Sequence, residues 1–535
     1  MTRIRASQIL FASAFVVPLL QPAARAQDEK FGEVNFPISC SAGAQRQFNR
    51  AVAMLHSFFF PETGKAFTAL VAQEPSCAMG YWGVAISQRP NPLVAPFPAA
   101  MMKNGWQAIE AARAAGARTQ RERDWIEALA VFFKDYDTID LRTRTLAYEA
   151  AMGRLSERYP DDNEAAIFYA LALNEAVDFS DKTYAKQFKA AAILQAIEAK
   201  QPNHPGIPHY LIHTYDFAPI CRQGLPAAQR YAEVAPTAPH ALHMPSHIYS
   251  MLGMWDESVR SNLTAQAAAN EYAAKNFPDA VDPSVPHLLD FIAYAYLQQA
   301  KDADAKQVVD SLAQLKKFAS VRLTVDTALA AIPARFALDR GRWDEAAQLS
   351  VRDSQYPAAQ SISYFARAVG AARSGRAAAA RGEIAHLDEI EAKLTAAKDD
   401  YWAGQTRIQK QAATAWVIFV EGRRDDAIVA MRRAADLDDT SEKNVAMENK
   451  LVPIRELLGE LYLASGMGKD ALTEFEASLK NMPNRFRTIA HAAAAARAIG
   501  SLEAAKQYSR TLTALAAGDG ERPEVVEAKN YLSRN

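Results

Sequence analysis

Cysteine is scarce in this chain, with three in 535 residues. There is no C-x-x-C-H, which excludes covalent haem attachment. Glycine is thin too, at 23 residues, and forms none of the patterns G-x-x-x-x-G-K-[ST], G-x-G-x-x-G or G-x-S-x-G. Phosphate-cradling loops and a serine nucleophile elbow are therefore missing. Neither sign of charge dominates: 60 Lys and Arg face 61 Asp and Glu. No basic excess points to nucleic acid, and no acidic tail points to a solvating segment. Alternating β-branched runs are absent, so nothing in the sequence asks for a sheet.

No apolar run is long enough to span a bilayer. Ile9–Leu20 is the nearest approach, and Pro18 interrupts it. Arg3 and Arg5 precede it, and Ala24-Arg25-Ala26 follows with small residues at the two positions a signal peptidase reads. This predicts a signal peptide over 1–26, cleavage after Ala26, and an exported protein, periplasmic or secreted. Cys40 is too far downstream for lipid attachment. In an oxidising compartment Cys40, Cys77 and Cys221 allow one disulfide and one free thiol, with the pairing open.

What the chain has in abundance is helix-forming residues, above all Ala, Leu, Gln, Glu and Arg. A phrase recurs along it: a helical stretch, a glycine, then a short step to a small residue. It reads Gly253-MWDES, Gly341-RWDEA, Gly375-RAAAA, Gly422-RRDDA, Gly466-MGKDA and Gly500-SLEAA. Gly341 to Gly375 and Gly466 to Gly500 are each 34 residues. Such a unit is a helix–turn–helix whose glycine makes the turn and whose alanine lets the second helix lie close. Each hairpin leaves an apolar face that only a neighbour can cover.

On these residues the sequence resembles the tetratricopeptide repeat (TPR) superfamily. Pro453–Asn484 fits best, with Gly459, Tyr462, Ala471, Phe475 and Pro483 in order. The resemblance implies an all-α fold, a right-handed α-solenoid of TPR-like helix hairpins. After the signal peptide it divides into a degenerate region 27–195, histidine-rich repeats 196–300 and a C-terminal array 301–535 with a capping helix. A narrower likeness rests on Phe48–Phe58, Cys77–Gly83, H-Y-x-I-H, H-M-P-S-H-I-Y and Pro286-His287. It is similar to exported bacterial TPR-domain proteins, whose third block usually reads P-H-N-x-H-F. Here Leu288 and Asp290 stand in place of the Asn and second His.

The histidines are the chemistry. Seven of ten fall between His204 and His287. Overlaying Pro205–Tyr215 on Pro239–Tyr249 pairs His209 with His243 and His213 with His247. Positions i and i+4 share a helix face, so each pair projects as a unit. Pro245 belongs in a helix's first turn, which starts the second helix near Met244 and leaves His243 just outside it. His287 follows a proline as His209 does, with Asp290 one turn on.

Neutral imidazoles beside a carboxylate suit zinc, copper or iron. The candidate metal ligands are His209, His213, His243, His247, His287 and Asp290, with copper or zinc as the ion. Nearby Met244, Met251 and Met254 would favour copper, and Tyr215, Tyr249 or Asp216 would anchor the outer ring nitrogens. Against this stands plain packing, with each ring satisfying a buried carbonyl. Two functions follow. The favoured one is an exported TPR scaffold binding a protein or peptide in its concave groove, with a histidine-rich site inside it. The other is a transition-metal protein or metal-dependent enzyme using the histidines, which predicts rings converging from three helices onto one point. No catalytic residue is singled out.

Overall fold

The computed structural model describes residues 29–516 and 522–534. The predicted signal peptide lies outside the described residues. Those residues are helical from Ala42–His56 to Pro523–Arg534. Their one β feature is an isolated bridge between Val281 and Phe318. None of their helices is long and apolar enough to cross a membrane.

The fold is all-α, a TPR-like array of helix hairpins stacked in two layers. Leu323–Leu338, Pro357–Arg373, Asp400–Val420, Ile454–Ala464 and Phe486–Ala498 form the inner layer, each packing on the next. Ala377–Ala396, Arg424–Asp439, Gly468–Asn481 and Leu502–Leu515 cover them from outside. Burial follows position. Leu323–Leu338 is enclosed on nearly every side, whereas Ala377–Ala396 buries a stripe of Ala380, Leu387, Ile390 and Leu394.

The recurring phrase makes the hairpins. Its six glycines all adopt positive φ and end a helix. Five residues later Ser258, Ala346, Ala380, Ala427, Ala471 and Ala505 sit fully buried against the partner helix. Gly253 shows why the position is restricted. Its φ is 68°, and a Cβ there would stand 2.4 Å from the Pro483 carbonyl oxygen.

That contact also closes the array on itself. The Trp255 indole donates to the Asn484 carbonyl at 2.9 Å, and Val285–Gln298 packs on Phe486–Ala498. Arg485, fully buried, ties Glu456 to Asp339 across the same seam. The hollow beside the histidine repeats is filled by the chain's own segment 441–453. From it Lys443 reaches Asp216, and the backbone oxygens of Asn449 and Lys450 accept from Arg335. Cys40 and Cys77 form a disulfide; Cys221 is a buried free thiol.

Candidate metal centre

Four helices bring six histidines together. His209 and His213 lie on Gly206–Tyr215, and His240 and His243 on the short Pro239–His243 helix. His247 lies on Pro245–Met251, and His287 in the first turn of Val285–Gln298. Pro245 occupies the first turn of its helix, where its missing N–H costs nothing. Met244 joins the two short helices in helical geometry, so His243 and His247 still share a face.

The rings form two triads. In the first, His209 Nε2 lies 3.1 Å from His213 Nε2 and 3.1 Å from His240 Nε2. In the second, His243 Nε2 lies 3.1 Å from His247 Nε2, and the His287 ring centre is 4.9 Å from that of His243. Each triad's ligand atoms fit within 4.8 Å of one another. Ligands about 2.0–2.1 Å from a tetrahedral ion lie about 3.3 Å apart, close to these spacings.

The outer nitrogens decide which atoms face inward. His209 Nδ1 donates to the His56 carbonyl at 2.5 Å. His247 Nδ1 donates to Asp216 Oδ2 at 2.9 Å. His243 Nδ1 donates to Asn262 Oδ1 at 2.6 Å, and the Asn262 amide is oriented by its own bond to the Ser258 carbonyl at 2.8 Å. Lys443 Nζ also lies 3.4 Å from His247 Nδ1 and Ser246 Oγ 3.3 Å from His243 Nδ1, but the shorter bonds at all three rings go to acceptors, which places the protons on Nδ1 and leaves lone pairs on Nε2. His243 and His247 thus point two lone pairs at each other across 3.1 Å. No hydrogen bond joins two neutral rings so arranged; a cation between them would.

Burial holds the rings neutral. It pushes His209, His213, His240, His247 and His287 well below the ordinary histidine range, and neighbouring rings push the same way. His243 is lowered to about 4, again by burial, which its bond to Asn262 partly opposes. Asp216 is pushed up by burial and pulled back by Lys443, whose Nζ is 2.8 Å from Oδ2.

A phenylalanine walls each triad. Phe58 sits edge-on to His209 and stacks over His213 and His240. Phe291 packs against His243, His247 and His287 with ring centres 4.9, 4.9 and 5.1 Å away. Phe58 stands just past the Ala42–His56 helix, where Phe59 N bonds back to the Met54 carbonyl. That closing position normally takes glycine, yet Phe58 holds it at φ 52°. Strain there costs about 1–3 kcal/mol and is tolerated at functional sites.

His209 and His213 meet in one triad, and His243, His247 and His287 in the other. The convergence is onto two points. Asp290 is elsewhere: its carboxylate is 3.0 Å from Arg335 Nε, a buried ion pair. Met251 sulfur faces the Asn449 amide, and the Tyr215 hydroxyl faces Gln195. Of the three expected anchors, Asp216 bonds to a ring.

His240 was missed as a ligand because the 34-residue overlay sets it opposite Gly206. Its signal was the Pro-His pair, shared by Pro208-His209, Pro239-His240 and Pro286-His287. His56 and His204 form a third group with Glu164.

No family model matches the chain, and no curated protein matches it. Among solved structures, one match is a chain of the complex titled "Structure of Naa15/Naa10 bound to HypK-THB". It is 13% identical, covering 92% of this chain and 73% of that one, with a TM-score of 0.21. A likeness that slight ties this chain to no function of that complex.

Proposed function

We propose that the protein is an exported transition-metal protein whose two imidazole triads each hold one ion, copper or zinc. One observation carries the reading: the Nε2 lone pairs of His243 and His247 face each other, with Asn262 and Asp216 holding the protons on the far nitrogens. In the first triad the His56 carbonyl anchors His209 alone, leaving its Nε2 lone pair facing His213 and His240. Anchored outer nitrogens are the usual company of metal-bound imidazole. Neither triad contains a carboxylate, which weighs against magnesium, calcium and manganese. Export is supported by the residues of 1–26 and by the Cys40–Cys77 disulfide.

Metal analysis of untagged protein tests the reading. The expected result is two ions per chain, falling to one in His209→Ala and to one in His247→Ala. Stoichiometry near zero after reconstitution removes it.

The scaffold reading, a protein or peptide held by the helical array, has one observation in its favour. A cavity of about 370 Å³ opens beside segment 441–453, lined by Lys182, Tyr184, Glu442, Lys450 and Arg455 among others. Its mixed charge suits a peptide with both signs. Lys182→Glu would abolish such binding with the fold intact.

A further inference from the structure

The two triads are not two independent sites. The Pro239–His243 helix gives His240 to one and His243 to the other. Residues three apart on a helix are neighbours, about 5–6 Å between Cβ atoms. The ring centres of His240 and His243 are 5.9 Å apart, and across the helices those of His213 and His247 are 6.2 Å apart. Within the first triad itself His213 and His240 are 6.3 Å apart. Ring centres within a triad span 4.8–6.3 Å, so the nearest rings of different triads fall inside the range found within one.

Charge and shape narrow the occupant. All six rings are buried or nearly so and carry no negative charge, and the walls are Phe58 and Phe291. The acid nearest the rings of the second triad, Asp216, is already matched by Lys443. Two divalent ions would place four positive charges here without a counter-ion, an expensive burial. Two copper(I) ions would place half of that, and imidazole suits copper. Three ligands per ion leave room for a further one. Each phenylalanine contacts the rings of its own triad and, among the described ring contacts, none of the other. The apolar walls thus leave the seam between His240 and His243 as the shared side.

Resting on the metal reading above, we propose that the six histidines form a single dinuclear copper centre that takes up dioxygen between its two ions. The step balances without protons. Each copper(I) gives one electron and becomes copper(II). Dioxygen gains both, its O–O bond falls from double to single, and the dianion formed bridges the ions through new copper–oxygen bonds.

The test is to load full-length protein with copper(I) without air, count copper, and admit oxygen in a measured amount. Expected are two coppers bound, one dioxygen consumed per chain, and an oxidised protein silent in electron paramagnetic resonance because the spins couple through the bridge. His240→Ala and His287→Ala should each bind one copper and, once oxidised, show one visible spin per chain. Retained binding at the intact triad shows that these variants fold. Two bound coppers giving two visible spins, or no oxygen uptake, would overturn the paired centre and leave the metal reading standing. No bound copper but two zinc ions would overturn it likewise. No metal of either kind would overturn the metal reading itself.

Discussion

Two histidine groups lie side by side in this molecule and have been settled in opposite ways. In one, Glu164 stands between His56 and His204, and its two oxygens are each 2.9 Å from an Nε2. His56 Nδ1 faces the Tyr210 hydroxyl at 2.8 Å, and His204 Nδ1 accepts from the Gly206 N–H. Every ring nitrogen has a partner of the complementary kind, so the group is complete as protein. In the other, six rings turn nitrogens toward nitrogens with no carboxylate among them. Equal proximity thus hides a chemical difference: one group is closed by a carboxylate at its centre, the other has none there. The closed group also serves the open one, because the His56 carbonyl anchors His209.

Acid should separate them most strongly. The six rings of the triads have folded pKa values below the ordinary 6.5, by burial first. A depressed value means the folded state refuses protons that the unfolded chain accepts. Their contribution is present above pH 6.5 and is lost as pH falls below it, by up to about 1.4 kcal/mol per ring per pH unit. For His243 the window runs from 6.5 to about 4. Glu164 behaves differently. Burial alone would raise it, but His204 and His56 bring it to about 2. Its contribution is present above 4.5 and lost between 4.5 and about 2. Metal-free protein should therefore lose most of its stability below pH 6.5, and metal should move that loss to lower pH. Denaturant titrations across pH measure both; a metal-free protein equally stable at pH 7 and pH 5 would erase the contrast.

Substitution sharpens it next. Metal at a thousand times its dissociation constant stabilises by about 4 kcal/mol, and a chelator should remove that. Glu164→Ala leaves His56 and His204 buried without their shared acceptor, at a cost of about 3 kcal/mol. It should still bind two ions. A Glu164→Ala protein that folds and binds none would mean the carboxylate belongs to the metal site after all.

Much of this was legible before any coordinates. The hairpins were, because glycine at a left-handed turn and a small residue five positions on are local requirements that leave a repeated mark. Five of the six triad rings were: four through i, i+4 spacing and the 34-residue overlay, and His287 through the proline before it. His240 was not, since it breaks the period: its partner His209 lies 31 residues back and in the preceding repeat. The Glu164 tie escaped for a related reason. It joins residues 108 and 40 apart, and one glutamate in a helical stretch carries no pattern. Asp290 was misleading because its sequence place, one turn after His287, matches a ligand, while its partner Arg335 is 45 residues away. Segment 441–453 has no periodicity, so its insertion into the hollow had no sequence signature.

The smallest expected effect probes the anchors and not the ligands. Asn262 touches no nitrogen that faces the triad's interior; it fixes the His243 proton on Nδ1. Asn262→Ala should leave two ions per chain and weaken the second triad about 10–100-fold, with the first triad unchanged. Competition titrations with a chelator resolve the two affinities. Asn262→Asp keeps an acceptor at that place and should recover most of the loss. An alanine variant that lowers both affinities equally would mean Asn262 acts through general packing. A loss confined to the second triad and recovered by aspartate would mean it acts through the proton it holds.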